Sequence, residues 1–129
     1  MDRDQLAESY TRYLGRCNEH RFATLGEFVA DSVNAPEQDL SGYIAGLESV
    51  VAGFPDYRWT VRQLAVDPPF LAALLWGEGT HTGPFRGIAP TGRRVRTQEL
   101  VMYRFADGRI VNCWGDLGST VRDELVSGG

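Results

Sequence analysis

The spacing of apolar residues changes once along this chain, at Gly53-Phe54-Pro55-Asp56-Tyr57, and no other feature constrains the fold as much. Before that point apolar side chains recur every three to four residues, the period of a helix with one buried face. Leu6, Tyr10, Tyr13, Leu14 and Cys17 predict a helix over 4–20, and Phe22, Leu25, Phe28 and Val29 a short one over 22–31. Leu40, Tyr43, Ile44, Leu47, Val50 and Val51 predict a third over 39–53. Gly53 stops it and Pro55 blocks a restart. Beyond that point the period is two, the mark of strands. Over 57–67, Tyr57, Trp59, Val61 and Ala65 share one face and Arg58, Thr60 and Arg62 the other. A turn at Asp67-Pro68-Pro69 leads to a mostly apolar strand over 70–80, expected to be buried on both sides. A long strand over 93–105, its return over 109–116 and a closing helix over 118–126 complete the chain. Helices first and antiparallel strands afterwards predict one α+β domain over residues 1–129, with helices on one sheet face.

Composition narrows the function. A net charge of −4 and a pI near 5.1 leave no basic stripe for nucleic acid. All 13 basic residues are arginine, which excludes Schiff-base chemistry for want of a lysine amine. Cys17 and Cys113 have no zinc-ligand spacing and read as small buried apolar residues. The start, MDRDQLAES, carries no apolar export segment, and no apolar run is long enough for a bilayer span. A cytoplasmic protein without membrane or nucleic-acid partners is expected. Neither histidine has metal-ligand spacing, and no glycine fingerprint opens a helix, so no metal or organic cofactor is expected either.

Ala106-Asp107-Gly108-Arg109 is the strongest local signal, an Asp-Gly pair between alternating runs. A regular hairpin about it pairs Tyr103 with Asn112, Val101 with Trp114 and Glu99 with Asp116. One face then carries Thr97, Glu99, Val101, Tyr103, Phe105, Ile110, Asn112, Trp114 and Asp116. The opposite face carries Arg94, Arg96, Gln98, Leu100, Met102, Arg104, Val111 and Cys113. Carboxylates on an apolar face are costly when buried without partners. A semi-apolar cavity accommodates them, and adjacent carboxylates raise one pKa, as a general acid/base needs. The plainer alternatives are that both lie near the sheet edge, solvated or paired with arginine, or that Asp116 caps the last helix. Leu100, Met102, Val111 and Cys113, ringed by Arg94, Arg96 and Arg104, form an apolar patch that predicts a homodimer through the outer sheet face.

The stretch GEGTHTGPFRGIAPTGRRV, 77–95, reads as a lip joining two strands at a pocket mouth. Gly79, Gly83, Gly87 and Gly92 permit its turns and Pro84 and Pro90 stiffen them. His81 either touches ligand there or makes a structural hydrogen bond. His20 faces the end of the first helix dipole.

FPDYRWTV at 54–61, GTHTGPFRGIAPTGRRV at 79–95 and YRFADGRIVNCWGD at 103–116 resemble, in order and spacing, the SnoaL-like proteins of the NTF2-like superfamily. The resemblance implies a cone: a curved sheet wrapped around helices, with a pocket between. It implies cofactor-free, intramolecular aldol closure of a polyketide ring, with a catalytic aspartate after the hairpin, here Asp116. It also implies a facing histidine, where this chain has Glu99 and Val101. The expected enzyme uses Asp116, with Glu99, on a flat hydrophobic ligand. Trp59, Trp76, His81, Val101, Tyr103, Asn112 and Trp114 are the expected binding residues. The alternatives are a non-catalytic binding or accessory protein, and a hydroxylase- or hydrolase-type relative in which Glu99 and Asp116 activate water.

Overall fold

The computed structural model describes residues 1–127; the last two residues of the expected domain lie outside the described part. Helix α1 spans Arg3–Asn18. It starts where it does because Asp2 and Gln5 cap each other: the Asp2 carboxylate accepts from the Gln5 N–H and the Gln5 side chain accepts from the Asp2 N–H, both at 2.8 Å. The second expected helix is a tight 3-10 turn over Phe22–Glu27, after which Val29 joins the sheet edge instead of continuing helical. Helix α2 spans Leu40–Gly53, with the Asp39 carboxylate accepting from the Gly42 N–H at 2.9 Å. Only Val50 and Gly53 of α2 are fully buried, because part of its inward face overlies a cavity.

Four antiparallel strands follow, β1 (Arg58–Asp67), β2 (Phe70–Thr80), β3 (Arg94–Ala106) and β4 (Arg109–Trp114), in that spatial order. Helix α3, Leu117–Ser127, turns back onto β3 and α2. The inner sheet face supplies Trp59, Leu71, Ala73, Leu75, Val95, Val101, Tyr103 and Phe105 to the core, against Leu6, Tyr10 and Leu14 of α1. β2 is not buried equally on both sides. Its odd-numbered residues are buried and most of the others half-buried, because helices cover one face alone. The free edge of β4 is covered by the segment after the 3-10 turn: Ala30 and Asn34 donate to Ile110 and Val111, and Ile110 donates to Phe28. At the other edge the Asn18 side chain pairs with the Trp59 backbone through two bonds of 2.8 and 2.9 Å.

The hairpin turn is as expected. Asp107 and Gly108 have φ of 51° and 80°, the type I′ geometry. Its register is not. Phe105 pairs with Ile110, but Arg104 pairs with Asn112, Tyr103 with Cys113 and Met102 with Trp114. Val111 is an extra residue in a bulge, and every later side chain of β4 changes face. Cys113 therefore points inward, while Asn112 and Trp114 point outward. A second shift, between Val61 and Gln63, moves Ala65 out and brings Leu64 and Val66 in. Both bulges bend the sheet around the helices.

Candidate active site

Between the inner sheet face and the helices lies a cavity of about 300 Å³, at the small end of the range for ligand pockets. Trp59, Leu75, Val101 and Tyr103 give it an apolar sheet wall. Tyr13, Leu14 and Cys17 of α1 and Tyr43 and Leu47 of α2 close the opposite side. Asn34, Gln38, Arg86, Asp116 and Gly118 also contribute to its lining.

Glu99 lies on this lining at an inward position of β3, partly buried and with no hydrogen bond or ion pair among the described residues. Its surroundings are apolar on one side, Val101 being its neighbour on the same face. Gly115 keeps the space beside both of them open: a Cβ there would stand 2.8 Å from Val101 Cγ2 and 3.8 Å from Glu99 Oε2. Burial pushes the Glu99 carboxyl up to about 7, and the charge of Asp116 adds to the rise.

Asp116 is placed differently. β4 ends at Trp114, so Asp116 is not opposite Glu99 in the ladder. It caps α3: Oδ1 accepts from the Ser119 N–H at 3.1 Å and Oδ2 from the Ser119 hydroxyl at 2.8 Å. Those bonds, with the Arg86 guanidinium 3.9 Å away, hold its carboxyl below the usual value. The two carboxylates share a cavity, one inside and one at an exposed site, and their pKa values move in opposite directions.

The SnoaL-like polyketide cyclase family matches residues 7–117. The chain belongs to that family. A SnoaL-like polyketide cyclase from Agrobacterium tumefaciens is similar to it at 34% identity, over 93% of this chain and 97% of that one, with a TM-score of 0.77. IdmH from Streptomyces antibioticus is similar at 26% identity, over 93% and 97%, with a TM-score of 0.77. AclR, a candidate hydroxylase from Streptomyces galilaeus, shares the fold at 21% identity, over 88% and 89%, with a TM-score of 0.76. A comparison with curated proteins finds no match. The sheet and helices are thus those of the SnoaL-like, NTF2-like cone.

Of the expected binding residues of this SnoaL-like protein, Trp59, Val101 and Tyr103 line the cavity, and Trp76, His81, Asn112 and Trp114 do not. Trp76 lies on the outer face between two guanidinium groups, Arg96 at 4.0 Å and Arg62 at 4.8 Å from its ring. Asn112 accepts from Arg104 Nε at 2.9 Å on that same face, and Trp114 is exposed beside Phe70. His81 is fully buried and stacked on Phe54 with ring centres 5.1 Å apart. Its Nδ1 accepts from the Thr91 N–H at 3.2 Å, while its backbone bonds Arg93 and Gly92. His81 therefore pins the far end of the lip. Within the lip, Gly87 and Gly92 adopt positive φ, whereas Gly79 and Gly83 serve close approach: a Cβ on Gly83 would stand 2.1 Å from the Ala52 carbonyl oxygen. His20 Nε2 donates to the Tyr57 carbonyl, 3.1 Å away, outside the cavity.

The residues missed from the sequence are Tyr13, Cys17, Tyr43, Arg86 and Cys113. The tyrosines and Cys17 read as ordinary helix-stripe residues, and only a cavity below the stripe makes them lining. Burial raises the Tyr13 and Tyr43 hydroxyls well above the usual value and both thiols to about 12. The cavity thus offers neutral hydroxyl and thiol groups besides the carboxyls of Glu99 and Asp116 and the Arg86 guanidinium. Among the described residues no three His, Cys, Asp or Glu side chains are grouped to hold a metal ion, and no helix is long and apolar enough to cross a membrane.

Proposed function

We propose that this protein binds a flat, carbonyl-bearing, polyketide-like molecule in the cavity and that Glu99 moves a proton at the carbon beside that carbonyl. The observation that carries the reading is the Glu99 carboxyl on the cavity wall, without a hydrogen bond or ion pair among the described residues, which burial pushes up to about 7. A base with that pKa is half ionised at working pH and returns its proton as readily as it takes it. In an aldol closure Glu99 accepts the α-proton, the enolate carbon bonds to a second carbonyl carbon of the same molecule, and the resulting alkoxide receives the proton back. One C–H bond and the π bond of the attacked carbonyl break, one C–C and one O–H bond form, and no electrons leave the substrate. Asp116 is kept ionised by Ser119 and Arg86 and acts here on the electrostatics of entry.

Exchange of the α-protons of 2-tetralone in heavy water, followed by proton NMR, tests this. The wild type should accelerate exchange, Glu99→Gln should reduce it to the buffer rate, and Asp116→Asn should retain most of it. Binding of the ketone without exchange by any form would mean a ligand carrier instead of an enzyme.

We further propose that two copies pair through the outer sheet face. Phe70, Leu100, Met102 and Trp114 are exposed there, Leu100 at 72%, in a patch bordered by Arg96 and Arg104. An apolar patch with a charged border is the form an isologous interface takes.

A further inference from the structure

A two-residue turn brings Arg86 to the cavity. Phe85 and Ile88 exchange both backbone hydrogen bonds, at 3.0 and 2.8 Å. Arg86 and Gly87 between them have φ of 46° and 78°, a second type I′ turn. A long side chain is disfavoured in that region, and such strain persists where the surroundings impose it. Here Phe85 is buried and stacked edge-on against Phe54, with ring centres 5.4 Å apart. Gly118 leaves the room the side chain needs, since a Cβ there would stand 2.3 Å from Arg86 Nη2.

The guanidinium so placed is under-engaged. Its contacts are Asp116 Oδ1 at 3.9 Å, the Ser119 hydroxyl at 3.3 Å and the face of Phe85 at 5.8 Å. Asp116 is itself committed to Ser119. Among the described residues its five N–H donors have only those partners, and the side chain, 42% exposed, lines the cavity. The rest of the lining supplies no second cation, because Glu99 and Asp116 are its other ionisable groups besides tyrosines and cysteines.

We propose that Arg86 anchors a carboxylate of the cavity ligand, so that the substrate class is a flat aromatic or polyketone acid with its carboxylate free. This rests on the cavity being the substrate site. The fork of Arg86 takes the two carboxylate oxygens side by side, a geometry for which guanidinium is suited. The apolar body then extends inward past Leu75, Val101 and Trp59 towards Glu99. Asp116 competes with the ligand carboxylate for the same cation, which sets a second, opposite handle on affinity.

Calorimetric titration at pH 6 with 2-naphthoate and with its neutral counterpart 2-naphthamide tests the anchor. The wild type should bind naphthoate at least tenfold more tightly than the amide. Arg86→Gln should abolish that preference and leave amide affinity within twofold. Asp116→Asn should strengthen naphthoate binding severalfold while still capping α3, since asparagine caps as well as aspartate. The opposite signs of the two variants separate the anchor from a folding defect. Equal binding of acid and amide by the wild type, or a preference surviving Arg86→Gln, would overturn the anchor and leave the cavity reading standing. Failure of both compounds to bind would overturn both.

Discussion

The hydroxyl oxygens of Tyr13 on α1 and Tyr43 on α2 stand 2.6 Å apart at the cavity wall. This bond ties together two helices that leave a void between themselves and the sheet. Replacing either tyrosine by phenylalanine should destabilise the fold by about 1 kcal/mol, the usual net worth of such a bond. The double replacement should cost little more than one single replacement, because both lose the same bond. Urea unfolding of the four proteins measures this; additive losses would show that the bond contributes nothing.

Glycines divide by what a side chain would meet. On Gly77 a Cβ would stand 1.9 Å from the Tyr57 hydroxyl and 2.7 Å from Thr97 Oγ1, in the middle of a buried 2.9 Å bond between them. Gly77→Ala should destabilise by roughly 1–3 kcal/mol through overpacking. Gly15, on the exposed side of α1, meets nothing within 4 Å. Gly15→Ala should therefore stabilise by about 0.5–1 kcal/mol through helix propensity. Thermal unfolding of both variants should show shifts of opposite sign.

Much of this architecture was legible in the sequence, and the failures have local physical causes. Three helical stripes, four strands and the Asp107-Gly108 turn follow from periodicity and turn chemistry. The bulge at Val111 does not, since an inserted residue in β4 has no compositional mark. It exchanges Cys113 for Asn112 and Trp114 at the inner face and separates Asp116 from Glu99. Glu99 was found because β3 alternates without interruption, so its inward position follows from that strand alone. Arg86 was missed although its signal was present: a glycine second of two residues between Phe85 and Ile88 is a type I′ turn motif. His81 drew attention as a rare residue type, but Thr91 holds its Nδ1 and Phe54 its ring face outside the cavity, and its Nε2 is buried without a hydrogen-bond partner among the described residues.

Glu99 also makes stability depend on pH. Its folded pKa of about 7 exceeds the ordinary 4.5, so the native state holds the proton where the unfolded chain has released it. Its effect on stability is most favourable below about 4.5 and is lost as pH rises through about 7. The loss is at most on the order of 3 kcal/mol, at about 1.4 kcal/mol per pKa unit. Glu99→Gln should flatten this part of the stability profile and be the more stable protein at pH 8. Denaturant unfolding at intervals from pH 4 to 8 gives the comparison; parallel profiles for the two proteins would show that Glu99 titrates normally.

The proposed dimer has its own variant. Leu100→Glu places a charge in the centre of the exposed outer patch without touching the core. Sedimentation should give the mass of two chains for the wild type at micromolar concentration and of one for the variant, with 2-tetralone exchange per chain unchanged. A wild type of one chain mass would remove the interface.

The dependence of 2-tetralone α-proton exchange on pH tests the role of Glu99 most directly. The rate catalysed by the wild type should rise with pH, pass a midpoint near 7 as the Glu99 carboxyl ionises and then level off. Glu99→Gln should show the buffer rate at every pH. Undiminished catalysis by Glu99→Gln, or a midpoint near the ordinary carboxylate value of about 4, would contradict the assignment.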